Sequence, residues 1–101
     1  MKEDAHRMIL LFDYYGEALT PRQRECFDRH YNDDLSLAEI AEHLGISRQG
    51  VRDNIVRAEK ALLDMEEKSG LLARRTENQK TAQRLLEIAA ELNEIARSMK
   101  E

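Results

Sequence analysis

The stretch LSLAEIAEHLGISRQGVRDNI, residues 35–55, carries two short helical patterns joined at one glycine. Ser36 and Glu39 stand three apart, the spacing of a capping box, with Leu35 and Ile40 placed as a hydrophobic staple across it. Gly45 arrives nine residues after Ser36 and can take the left-handed conformation that lets a chain turn sharply. Ser47 then caps a second helix, and Ile46 and Val51 repeat the staple spacing. Ile40, Leu44, Ile46, Val51 and Ile55 point into the angle between the two helices, and Ala41 is small enough for a close crossing. A small residue four before the turn glycine, with five apolar positions in these places, is what a helix-turn-helix needs.

The pattern extends in both directions. Upstream, Ala5, Met8, Ile9, Phe12 and Tyr15 recur at three- and four-residue steps and predict a first helix ending near Gly16. A second helix opens with Thr20 as cap, Pro21 at the first helical position and Gln23 where a capping-box side chain reaches back; Phe27, His30 and Tyr31 face inward or sideways, and Asn32, Asp33 and Asp34 end it. Downstream, Val51, Ile55, Ala58, Leu62 and Met65 carry a buried stripe to about Lys68. Beyond Gly70 no aromatic residue occurs, and Leu85, Ile88, Leu92, Ile95 and Met99 lie three and four apart, the mark of one long amphipathic helix. With one proline and four glycines in 101 residues there are few places to turn, so the fold is expected to be all-α. The expected organisation is a helix-turn-helix domain over residues 1–70 followed by the amphipathic helix over 71–101.

Composition bounds the function. At 42% hydrophobic the chain supports one modest helical core. It holds no apolar run near the length of a membrane span, and its MKEDAHRM start lacks the apolar block of a signal peptide, so no membrane insertion and a cytoplasmic location are expected. The lone Cys26 reads as a small core residue. His6, His30 and His43 lack metal-ligand spacing, no phosphate loop or nucleophile motif occurs, and Asp33 and Asp34 suit a turn in which aspartate bonds its own backbone. The reading is a non-enzyme with no catalytic residue, metal or cofactor.

In a helix-turn-helix the second helix lies in the major groove with its N-terminal residues against base edges. The candidates for nucleic-acid contact are Ser47, Arg48, Gln49, Arg52, Asp53 and Arg57. Arginine can donate two bonds to guanine and glutamine can pair with adenine, which singles out Arg48, Gln49 and Arg52. Gly50 costs a helix about 1 kcal/mol relative to alanine, and close packing against the preceding helix is the expected reason for it. Charge opposes easy DNA binding: residues 1–70 hold ten Lys and Arg against fifteen Asp and Glu. The balance reverses locally where Arg48, Arg52, Arg57 and Lys60 outnumber Asp53 and Glu59.

The run HRMILLFDYYGEALTPRQRECFDRHYNDDLSLAEIAEHLGISRQGVRDNIVRAEKALLDMEEK resembles the YlxM family of small bacterial proteins. The family shares the R-M-x-x-L-F-D-x-Y opening, the LT before the second helix, a Y-x-D-D-x-S-L-x-E-I-A-E run and an S-R-Q-x-V-x-D-N-I-x-R-x-E recognition helix, usually with alanine where this chain has Gly50. The same core is similar to region four of sigma factors. The resemblance implies a sigma region 4-like bundle, a DNA-binding regulatory function, and a link through gene neighbourhood to the signal recognition particle pathway. The alternative is an adaptor that binds protein or ribonucleoprotein in that pathway without reading DNA. Tyr14, Tyr15 and Leu11 offer apolar surface that a partner helix can cover, and the C-terminal stripe is expected to hold the chain as a homodimer, a monomer with the helix folded back on the core being the alternative.

Overall fold

The computed structural model describes residues 4–100; residues 1–3 of the charged N-terminal stretch, and residue 101, lie outside it. Among the described residues it contains α1 (Ala5–Tyr15), α2 (Pro21–Tyr31), α3 (Leu37–Leu44), α4 (Arg48–Ser69) and α5 (Leu71–Lys100), with one 3-10 turn at Gly16–Ala18 and no strand. The all-α expectation holds.

The helix starts are made as the sequence requires. At α2 the Thr20 hydroxyl accepts from the Gln23 amide and the Gln23 side chain accepts from the Thr20 amide, each at 3.2 Å. At α3 Ser36 accepts from the Glu39 amide at 3.1 Å and Glu39 accepts from the Ser36 amide at 3.2 Å. Ser47 caps α4 by accepting from the Gly50 amide at 2.9 Å. Each pairing satisfies backbone donors that the first helical turn leaves without partners. Gly45 ends α3 in the left-handed region at φ 67°, its amide bonded to the Ala41 carbonyl, and Gly70 ends α4 at φ 65°. Asp34, at φ 56°, takes the same conformation without being glycine, which aspartate tolerates better than most residues.

By backbone contacts the chain divides into two compact units, Met1–Gly70 and Leu71–Glu101. In the first, α1, α2 and α3 each pack against α4. Leu11, Cys26, Phe27, Ile40, Val51, Ile55, Ala58 and Leu62 are fully buried. Phe27 stacks on Phe12 at 4.8 Å between ring centroids and on Tyr31 at 4.3 Å, geometry that aromatic pairs favour. Burial pushes the Cys26 thiol up from its ordinary value, consistent with its place in the core.

Three local readings are corrected. The buried face of α1 centres on Met8 and Leu11, while Ile9 is only half-buried. Leu11 therefore belongs to the core and is no docking surface. At the end of the α4 stripe the buried residue is Glu66, at 8% exposure, and Met65 is half-buried. A carboxylate is tolerated there because the Tyr15 hydroxyl donates to it at 2.7 Å, while the same phenol oxygen bonds the Ser69 hydroxyl. Tyr15, too, is thus bound to its own helical body. The α5 helix of the second unit runs 30 residues, and its large apolar side chains Leu85, Ile88, Leu92, Ile95 and Met99 are 37–81% exposed. Its ion pairs Arg84–Glu87 and Glu94–Arg97, at 3.3 and 3.5 Å, are exposed and add a few tenths of a kcal/mol each, about.

Two outcomes follow from this local chemistry. No atom lies within 4 Å of where a Cβ on Gly45 would stand, so a side chain there meets only backbone strain. Gly45→Val is expected to lower stability in urea denaturation by more than about 1 kcal/mol and Gly45→Asn by less; an unchanged midpoint for the valine variant would show that the turn is not left-handed. The second concerns acid. Hydrogen bonds from the Ser36 amide and hydroxyl hold the Glu39 carboxyl below its ordinary value of 4.5. A depressed carboxyl stabilises the fold above its unfolded pKa and loses that contribution as pH falls through the folded one. Glu39→Gln keeps the cap geometry without the charge, so the wild type should lose more stability than the variant as pH drops below about 4.5 in parallel melts. Parallel curves for the two proteins through that range would remove the carboxylate from the account.

Candidate nucleic-acid interface

The hinge at Gly45 and the cap at Ser47 set the start of α4 outside the core, while Val51 and Ile55, fully buried, pin the same helix from its second turn onward. Ser47, Arg48, Gln49, Arg52 and Arg57 are exposed, and Asp53 is half-buried. Arg48, Arg52, Arg57 and Lys60 make no ion pair among the described residues. An arginine fork without an intramolecular acceptor keeps its donors for an outside oxygen.

The six candidates do not form one face. At roughly 100° per residue, Arg48, Arg52 and Val56 lie within about 80° of one another, and Gln49 borders them. Arg57 comes nearly opposite Arg48, nine residues on, and about 140° from Arg52. The geometry brings Arg48, Gln49 and Arg52 together and leaves Arg57 on the far flank. Gln49 donates from Nε2 to Asp53 Oδ1 at 2.8 Å, one turn along. That bond orients the amide while its oxygen and second N–H stay open, the two atoms a bidentate contact with adenine uses. Asp53 thereby orients Gln49, a role that the sequence pattern shows only as an i,i+4 pair.

Gly50 does not serve the purpose expected of it. A Cβ at this position would stand 3.2 Å from the Ser47 hydroxyl and 3.8 Å from Ile46 Cδ1, both in the cap of its own helix. The tight neighbour is the capping side chain, and nothing in α3 crowds the site. The Gly50 carbonyl also accepts from Asn54 Nδ2 at 2.8 Å.

Beyond the first turns, Glu59 and Glu66 of α4 are turned away from solvent in part or in full, while Asp64 and Glu67 are exposed. Glu59, beside Lys60, accepts from the Tyr31 hydroxyl on α2. Burial, reinforced by this bond and by the negative charge of Glu59, pushes the Tyr31 phenol well above its ordinary value of 10.0, so it remains a donor throughout the neutral range. His30 donates from Nδ1 to the Leu35 carbonyl at 3.0 Å across the α2–α3 turn. Arg29 donates to His43 Nδ1 at 3.5 Å, a long contact between α2 and α3. The two histidines are thus placed by structural partners. Among the described residues no group of three His, Cys, Asp or Glu is placed to hold a metal, and no helix is long and apolar enough to cross a membrane.

Comparison with known proteins agrees with this architecture. Residues 2–101 match the family described as "Putative helix-turn-helix protein, YlxM / p13 like". A UPF0122 protein of Thermoanaerobacter sp. (strain X514) is 52% identical over 77 residues, covering 76% of this chain and 66% of that protein. One from Acetivibrio thermocellus is 54% identical over 70 residues, 69% of this chain and 60% of its own length. One from Bacillus cereus (strain AH187) is 43% identical over 101 residues, the whole of this chain and 92% of the relative. The chain belongs to the UPF0122 family of YlxM/p13-like helix-turn-helix proteins.

Proposed function

We propose that the protein is a cytoplasmic, DNA-binding regulator that reads the major groove with the first two turns of α4 and works as a homodimer. The observation that carries this reading is the set of exposed side chains at the start of α4: Arg48 and Arg52 without an ion-pair partner, beside a Gln49 amide oriented by Asp53. In their roles, Arg48 and Arg52 bind guanine edges or phosphate, Gln49 pairs with adenine, and the Ser47 cap and the exposed amides beside it face the phosphate backbone. Arg57 and Lys60 add phosphate contacts from the flanks. Two copies set two such helices a fixed distance apart, which reads paired half-sites.

A second reading rests on charge. The body over residues 1–70 has five more acidic than basic residues. DNA binding draws most of its strength from neutralised phosphates, so an acidic body favours a protein or ribonucleoprotein partner, and the YlxM resemblance points to the signal recognition particle pathway. Capture of partners from lysate with and without nuclease separates the two: partners retained after nuclease treatment favour the adaptor.

For the DNA reading, fluorescence anisotropy with short duplexes is the direct test. Four cations per copy neutralise at most about four phosphates, so raising salt from about 50 to 200 mM should weaken non-specific binding roughly 100-fold per copy. Arg48→Ala and Arg52→Ala should each cost about 5- to 100-fold on a specific site. Salt-insensitive binding, or full affinity in the double alanine variant, would remove α4 from the interface.

A further inference from the structure

Along the outward side of α4 every fourth residue forms one ridge: Arg48, Arg52, Val56 and Lys60, all exposed. Successive members stand about 6 Å apart along the axis and turn by roughly 40°, so the ridge keeps to one side of the helix. Arg48, Arg52 and Lys60 are cations, and Val56 is the exception. It is 46% exposed and stands outside the set of Val51, Ile55, Ala58, Leu62 and Glu66 that α4 buries. A β-branched side chain suits an exposed helical position poorly, because the helix restricts its rotamers and burial returns little. Leu63 is the other exposed large apolar residue of this helix, at 40%. It lies about 22 Å along the axis from Arg48, whereas Val56 lies about 12 Å away. A major groove about 12 Å wide curves away from a straight helix, so Val56 falls within reach of a duplex held by Arg48 and Leu63 does not.

We propose that Val56 reads the C5-methyl group of a thymine, an inference that rests on the DNA reading above. Arg52, one turn earlier on the ridge, reaches base edges, and Lys60, one turn later, reaches the phosphates of the groove wall. A side chain between them faces the edges of bases close to the pair that Arg52 contacts. Those edges carry hydrogen-bond donors and acceptors and one apolar group, the thymine methyl. Valine's side chain neither donates nor accepts, so polar base atoms that lose water against Val56 gain no partner. A ridge step of about 6 Å spans roughly two base-pair rises of about 3.4 Å, which sets the thymine about two pairs from the one that Arg52 contacts. Arg48, Gln49 and Arg52 then select by hydrogen bonds, and Val56 selects by apolar contact.

The test uses the full chain. Sites are selected from a pool of random duplexes, and anisotropy is read on the selected duplex with each thymine replaced in turn by deoxyuridine, which removes the methyl group and keeps every hydrogen bond of the pair. In the wild type one replacement is expected to weaken binding about 3- to 5-fold, the worth of one methyl group taken from water. The sensitive thymine should lie about two pairs from the position at which Arg52→Ala relaxes the base preference. Val56→Ala keeps the fold, since the position is exposed and alanine favours a helix. In that variant the same replacement should change binding less than about twofold. A wild type indifferent to every deoxyuridine, or a selected site without thymine, overturns the inference, and so does a penalty of equal size in Val56→Ala. In those cases loss of binding in Arg48→Ala and Arg52→Ala leaves the DNA reading standing, whereas a chain that enriches no site and binds no duplex overturns both.

Discussion

The first unit depends on one stripe of apolar side chains. Val51, Ile55, Ala58 and Leu62 on α4 have no exposure, and α1, α2 and α3 all pack against the helix that carries them. A helix of 22 residues with such a stripe needs a surface from several shorter helices, and the three that precede it supply that surface. The rest follows from this demand. Gly45 has to turn the chain within a few residues so that Ile40 and Ala41 of α3 reach the stripe, and the Ser47 cap lets α4 begin while still outside the core. The exposed Arg48 and Gln49 belong to the turn that precedes the pinned part of the helix, and the exposed Arg52 follows its first buried residue, Val51.

The two tyrosines at the edges of this core also manage charge. Tyr31 binds Glu59 and Tyr15 binds Glu66, so two carboxylates of α4 are drawn toward neighbouring helices. The raised pKa of Tyr31 keeps its proton in place for that bond. The bond ties the Glu59 side chain toward α2, while a neutral donor leaves its negative charge in place. The acidic body and the locally cationic start of α4 are features of the same unit.

The long α5 poses the opposite problem. It is a well-formed helix with its apolar face exposed in the single chain, and exposed ion pairs add little to it. Apolar side chains spaced by sevens lie along one face of the helix, so the helix by itself cannot bury them.

Much of this was legible in the chain itself. The caps at Thr20, Ser36 and Ser47, the left-handed turn at Gly45, the end of α4 at Gly70 and the all-α architecture are local events, decided by a few neighbouring residues whose stereochemistry allows one outcome. The stripe of α4 was legible as far as Leu62 because a 3.6-residue period repeats. What periodicity leaves open is which of two adjacent stripes on a helix faces inward. Leu11 rather than Ile9 on α1, and Glu66 rather than Met65 on α4, were decided by the helices packed against them and by a tyrosine 51 residues distant in sequence that made a buried carboxylate tolerable. The candidate interface divides in the same way. The residue types at Arg48, Gln49 and Arg52 announced their chemistry and helical spacing already separates Arg57 from them, while the hold of Asp53 on Gln49 and the crowding of Gly50 by its own cap exist only in three dimensions. Composition and spacing specify what a side chain can bond; where it points depends on every helix that closes around it.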